Sequence, residues 1–195
     1  MTRYTDLQLD ALRELANIGS GTASTALSSM LGRSVDISVP SAFVLPIADA
    51  VGSIGDPEAE VTGVVLGVVG EMQASVLLLF TPKDATLMCG LLGVEAGTEV
   101  GESALGEIGN ILGASYVGAL GAMTGLALEP TPPQTVTDML AAIVSTVLAS
   151  RSTGTDTALI LDSELAVEGE SCSLSFLLLP AAGGVDELLA RMGMA

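Results

Sequence analysis

Two carboxylate and carboxamide pairs are the residues of this chain best suited to chemistry: Glu14 with Asn17, and Glu107 with Asn110. Within each pair the residues stand at i and i+3, a spacing that brings both side chains to one face of a helix. A glutamate offers an anionic acceptor, and an asparagine both donates and accepts, so the pair can anchor a cation and hold a water. It supplies no nucleophile for an ordinary carbon or phosphorus centre. With no histidine in the sequence, histidine triads, histidine general bases and histidine zinc sites are excluded. What stays open is catalysis by placement: in phosphoryl hydrolysis a water-orienting amide suffices, because geometry and electrostatics do most of the work. The plainer reading is a solvated helix face, and for either pair alone it is the ordinary one. Asn costs a helix interior up to ~0.7 kcal/mol relative to Ala, so its presence at the same place twice asks for a reason.

The pairs belong to a repeat. Displacing the sequence by 93 positions lays Asp10, Glu14, Asn17 and Pro40 on Ser103, Glu107, Asn110 and Pro133. Ala11, Leu12, Ile18, Ala26, Leu27, Met30 and Gly32 fall likewise on Ala104, Leu105, Ile111, Ala119, Leu120, Met123 and Gly125. Two copies are too few for a solenoid. They predict one domain over residues 1–195 with a pseudo-two-fold axis, its halves at about 5–95 and 98–195.

The elements that must carry the pairs are long helices. Thr5 and Gln8 have the spacing of a capping box and Asp6 puts negative charge in the first turn, so a helix starts here. Leu12, Leu15, Ala16, Gly19, Ala23, Ala26, Leu27 and Met30 form its apolar stripe, and Gly32 is its stop. At ~100° per residue Glu14 lies about 200° round from Leu12, which turns Asp10, Glu14 and Asn17 toward solvent. The second copy sets Ser103, Glu107 and Asn110 opposite Leu105, Ile108, Leu112, Ala119 and Met123. Val35 to Val44 reads as a strand, with Pro40 at an edge or a bulge. Val61 to Gly70 and Ala74 to Phe80 read as a hairpin, and Pro82 to Leu92 as a helix with proline in its first turn. Pro46 to Gly55 carries no firm pattern. Further on, Asp138 to Ala149 has helical periodicity, Ala158 to Val167 and Ser173 to Leu179 repeat the strand pair, and Val185 to Met194 repeats the closing helix. The fold class is α/β in the α+β sense, with about six mostly antiparallel strands covered by helices. Thr153 to Asp156 is expected to be a mobile surface loop.

Six Lys and Arg against 23 Asp and Glu give a net charge of −17, which argues against nucleic acid and against an anionic membrane surface. Such a surface stays soluble at high ionic strength, so a salt-loving source is expected. Cys89 and Cys172 show no metal spacing; they admit one disulfide, though two free buried thiols in a cytosolic protein is the favoured reading. The first residues lack the apolar run of a signal peptide, so a cytoplasmic location is expected. Ile108 to Leu128 is uncharged and long enough to span a bilayer. Its repeat partner, however, carries Ser20, Ser24, Ser28, Ser29 and Arg33, and a buried helix accounts for both.

The pattern Asp or Ser, three residues, Glu, two residues, Asn, twenty-two residues, Pro resembles the signature of the CheC, CheX and FliY family of chemotaxis phosphatases. Here it runs Asp10, Glu14, Asn17, Pro40 and again Ser103, Glu107, Asn110, Pro133. Two full copies, in a chain this short, are similar to the CheC type. The resemblance implies a phosphatase acting on the aspartyl phosphate of the response regulator CheY. Asn17 and Asn110 would each align the attacking water, and Glu14 and Glu107 would pair with the regulator's lysine. Asp10 and Ser103 would shape the same surfaces, with Pro40 and Pro133 structural. It implies no intrinsic cofactor, the Mg²⁺ belonging to the regulator, and a CheD deamidase partner at Asp138 to Ala149. The other reading kept open is a non-catalytic adaptor that binds CheY-like regulators or CheD.

Overall fold

Helix α1 (Asp6–Leu31) begins where Thr5 and Gln8 complete a capping box, each satisfying a backbone N–H of the first turn, and ends where Gly32 turns left-handed. Helix α4 (Glu99–Thr124) has the same length, is capped by Thr98, and ends at Gly125 in the same left-handed conformation. The computed structural model that shows this describes residues 4–150, 154 and 156–194. Of the loop expected at Thr153 to Asp156, Thr153 and Thr155 lie outside the described residues.

Each long helix feeds an edge of one sheet. Strand β1 (Val35–Pro46) follows α1, and the equivalent stretch after α4 is split into β4 (Leu128–Pro130) and β5 (Gln134–Met139). Between these edges run β6 (Thr157–Val167), β7 (Glu170–Pro180), β3 (Ala74–Phe80) and β2 (Glu60–Gly70), in the order β1-β6-β7-β3-β2, with β4 and β5 both on β2. Every pairing is antiparallel. The described residues thus hold seven strands rather than six, and the added one comes from the broken second edge. The break falls where Pro132 and Pro133 have no N–H to give the ladder; Thr131 bridges it, its N–H reaching the Gly67 carbonyl while its hydroxyl accepts from the Gly67 N–H. On the other edge Pro40 lies where the β1–β6 register shifts, between Ser38 and Ser41. Both prolines of the repeated pattern therefore mark a strand interruption.

Helices cover both faces. On one side α1, α4, α3 (Pro82–Leu91) and α6 (Gly184–Arg191) enclose a core with Val64, Leu66, Val76, Leu78 and Phe80. On the other, α2 (Ile47–Ile54) and α5 (Leu140–Ala149) bury Ala50, Leu140, Ile143, Val144 and Val147 against Val61, Leu77 and Leu79. Strand β3 is buried at every residue, because alternate side chains enter the two cores. The helix expected from Asp138 starts at Leu140; Asp138 and Met139 belong to β5, where they pair with Val61 and Glu60. No helix among the described residues is long and apolar enough to cross a membrane. The uncharged run Ile108 to Leu128 is the inner part of α4, a turn at Gly125 and the start of β4.

Candidate active site

Helices α1 and α4 pack antiparallel. Tyr116 lies against Gly19 near the middle of the pair, while Met30 at the end of α1 borders the same depression as Ser103 and Glu107 near the start of α4. Each polar trio therefore sits beside the C-terminal part of the opposite helix.

On α1, Asp10, Glu14 and Asn17 are all exposed, as the stripe of buried Leu12, Leu15, Ala16 and Gly19 on the other side requires. Asp10 holds Arg13 at 2.7 Å, an exposed i,i+3 pair whose contribution to stability is small. On α4, Ser103 and Glu107 are exposed, and they border an open depression of about 570 Å³ with Val100, Leu92, Val94 and Met30.

Asn110 departs from the expectation that both trios face solvent fully, because it is half-buried. The cause is depth. A Cβ on Gly109 would meet Val64 at 2.5 Å and one on Gly113 would meet Leu66 at 3.0 Å, so α4 lies almost directly on β2 and sinks further into the molecule than α1. Among the described residues, the side chains of Glu14, Asn17, Glu107 and Asn110 make no hydrogen bond or ion pair within the chain. Their hydrogen-bonding capacity is turned outward.

No three potential metal ligands of the His, Cys, Asp or Glu type converge among the described residues. Cys89 and Cys172 are free and buried, remote in role from the trios. Burial raises the Cys89 thiol above its usual range. Cys172 is pushed up to about 12, by burial first and then by the charge and hydrogen bond of Asp84. Neither is a thiolate nucleophile at neutral pH.

The faces also contain residues that a search for polar chemistry overlooks. Leu7 and Val100 are large, apolar and exposed, and each lies seven residues before the glutamate of its trio. Their equivalence across the repeat is the signal that could have found them.

The sequence pattern of the CheC-like family matches residues 7–44 and again residues 100–137, segments offset by the same 93 positions as the internal repeat. Both halves of the chain resemble the CheC-like family. Each CheC-like segment runs from the exposed N-terminal part of a long helix into the edge strand that follows it. Along its length the chain is 29% identical to the CheY-P phosphatase CheC of Bacillus subtilis, over 95% of this chain and 94% of that protein. The CheC-like fold is shared with FliY of Thermotoga maritima, at a TM-score of 0.77 and 20% identity over 98% of both chains. It is shared also with the FliM middle domain of Helicobacter pylori, at a TM-score of 0.72 and 14% identity over 97% of this chain and 100% of the other.

Proposed function

We propose that this protein is a phosphatase that hydrolyses the aspartyl phosphate of a CheY-type response regulator. The observation that carries the reading is the duplicated Glu and Asn pair, outward-facing and unengaged on equivalent helices. The similarity to the CheY-P phosphatase of Bacillus subtilis supports it. With no histidine in the chain and both cysteines buried, the site offers a carboxylate and a carboxamide, a pair suited to positioning a partner that brings the reactive group. The regulator supplies the phosphoryl group and the Mg²⁺ bound to it. Glu14 or Glu107 pairs with the regulator's lysine and fixes the orientation of docking. The carboxamide of Asn17 or Asn110 holds a water in line with phosphorus. The water oxygen bonds to phosphorus as the bond to the aspartate oxygen breaks, freeing a carboxylate and inorganic phosphate; the water's protons stay on the phosphate or pass to solvent.

Asp10 and Ser103 shape the rims of the two faces, while the placement of Pro40 and Pro133 at strand interruptions fits a purely structural part. A CheD-type partner at Asp138 to Ala149 rests on the family resemblance alone; Ser145, Thr146 and Ala149 are the exposed residues of α5 there. A cytoplasmic location accords with a regulator as substrate.

The test is the decay of phosphorylated regulator with wild type, Asn17→Ala, Asn110→Ala and the double variant. Each single variant is expected to keep the rate of the other site, and the double variant to fall to the regulator's spontaneous decay while still binding it. A double variant as fast as wild type removes the asparagines from the mechanism. A wild type that binds without accelerating decay leaves the adaptor in place of the enzyme.

A further inference from the structure

We infer that Leu7 and Val100 are apolar anchors for the phosphorylated regulator, one at each docking face; this rests on the phosphatase reading and extends it to what sets affinity. They are the two most exposed large apolar side chains among the described residues, at 66% and 63%. Single exposed apolar residues are ordinary on protein surfaces. The register of these two is not, since position 7 and position 100 are related by the same 93-residue displacement that superposes the trios.

Nothing local accounts for them. Each is the second residue of its helix, after the caps Thr5 and Thr98. The apolar contact that often fixes a helix entry joins the residue before the cap to the fourth in the helix, which on α1 are Tyr4 and Leu9. Val100 is β-branched and exposed on a helix, where it is a poorer helix former than Ala. Neither residue is part of a core.

Both are placed for docking. At ~100° per residue, seven residues bring the chain back to within about 20° of its start and advance it ~10 Å along the axis. Leu7 therefore stands in line with Glu14, two turns away, and Val100 with Glu107. Val100 and Glu107 border one depression, whose wall is the apolar set Met30, Leu92 and Val94. A partner lysine held by the glutamate would bring the neighbouring partner surface over that wall and over Val100.

Charge selects the occupant. At −17 the chain repels anionic bilayers and copies of itself, and pairing two such faces would set glutamate against glutamate. A regulator that presents a lysine to the glutamate meets no such conflict. For an acidic partner, apolar contact also supplies affinity that salt does not screen away.

The experiment isolates one face at a time. Leu7→Gln is made in an Asn110→Ala background and Val100→Gln in an Asn17→Ala background, with a CheY-type receiver phosphorylated by acetyl phosphate. Each glutamine is expected to raise KM about fivefold or more over its parent, with kcat and Tm unchanged. Unchanged kcat/KM at either face overturns the anchor there, and so does a loss confined to kcat. Self-association of wild type that is abolished in Leu7→Gln/Val100→Gln would assign the residues to a second copy and overturn the proposal. A wild type that does not accelerate decay sinks the phosphatase reading separately. Affinity for a beryllofluoride-activated receiver then decides: a fivefold loss with the glutamines keeps the anchors, and no binding by wild type removes them.

Discussion

The ring of Tyr116 on α4 rests on Gly19 of α1 so closely that a Cβ added to Gly19 would stand 2.7 Å from Tyr116 Cδ1 and 3.1 Å from its Cα. Because the second contact is to backbone, no side-chain rotation relieves it. Gly19→Ala should gain about 1 kcal/mol in helix propensity and lose about 1–3 kcal/mol to overpacking, so a net destabilisation is expected. Gly118 on α4 has open space at its Cβ position, and Gly118→Ala should stabilise by about 0.5–1 kcal/mol. Denaturant midpoints of the two variants are expected to move in opposite directions.

The hydroxyl of Tyr116 shares hydrogen bonds with Ser20 at 2.8 Å and Ser163 at 3.4 Å, joining α1, α4 and β6 through buried groups. Ser20 and Ser163 are 1% and 2% exposed, so Tyr116→Phe leaves both without that partner and out of reach of water. A loss of about 1–2 kcal/mol is expected, read as a fall in Tm of roughly 3–6 °C. Adding Ser20→Ala should restore part of it by removing one stranded hydroxyl. A double variant less stable than Tyr116→Phe alone would show that the serine finds another partner.

The long helices were legible because several signals agreed there: the capping box, the apolar stripe, the glycine stop and the second copy. The hairpin was legible from the Val and Leu runs of β2 and β3. The second sheet edge was hidden, since β5 is exposed at nearly every residue and shows no alternation of apolar and polar positions, while the prolines around it argue against a strand. Helix α2 was hidden by its brevity: Ile47, Ala50, Val51 and Ile54 stand at i, i+3, i+4 and i+7 and turn to the second core, but eight residues with a glycine among them give too short a window for the period to declare itself. The sites were legible as spacing and not as depth. Glu14 with Asn17 and Glu107 with Asn110 have one pattern, yet Asn110 is half-buried because glycines let α4 settle on β2, a tertiary fact that helical periodicity does not encode. Leu7 and Val100 escaped because an apolar residue on a polar face contributes to neither pattern.

Glutamate and asparagine should separate in kinetics. A glutamate that pairs with the regulator's lysine acts at docking, whereas the asparagine acts on the water in the transition state. Glu14→Gln in an Asn110→Ala background, and Glu107→Gln in an Asn17→Ala background, are expected to raise KM by about tenfold with a smaller change in kcat. The rise should shrink as salt is added, because screening weakens the same ion pair in the parent. A loss in kcat alone would move the glutamate from docking to chemistry.

The buried thiols and Tyr116 give folding stability a defined dependence on pH. Cys172 is pushed from an ordinary 9.0 up to about 12, and Cys89 and Tyr116 are also raised, each by burial first; for Tyr116 the bonds to Ser163 and Ser20 offset part of the rise. With folded values above unfolded ones, the unfolded chain releases these protons at lower pH than the folded chain does. Stability from these groups is therefore fully present below about pH 8.5 and is lost as pH climbs toward 12. Guanidinium midpoints should be level with respect to these groups from pH 7 to 8 and fall from pH 9 upward, and Cys172→Ala should flatten the decline. The same burial predicts that a thiol reagent at pH 8 finds no fast-reacting cysteine in the folded protein and both after denaturation. Rapid labelling of either thiol in the native state would show that the packing of Cys172 beside Asp84, or of Cys89 against α4, opens far more readily than the structure indicates.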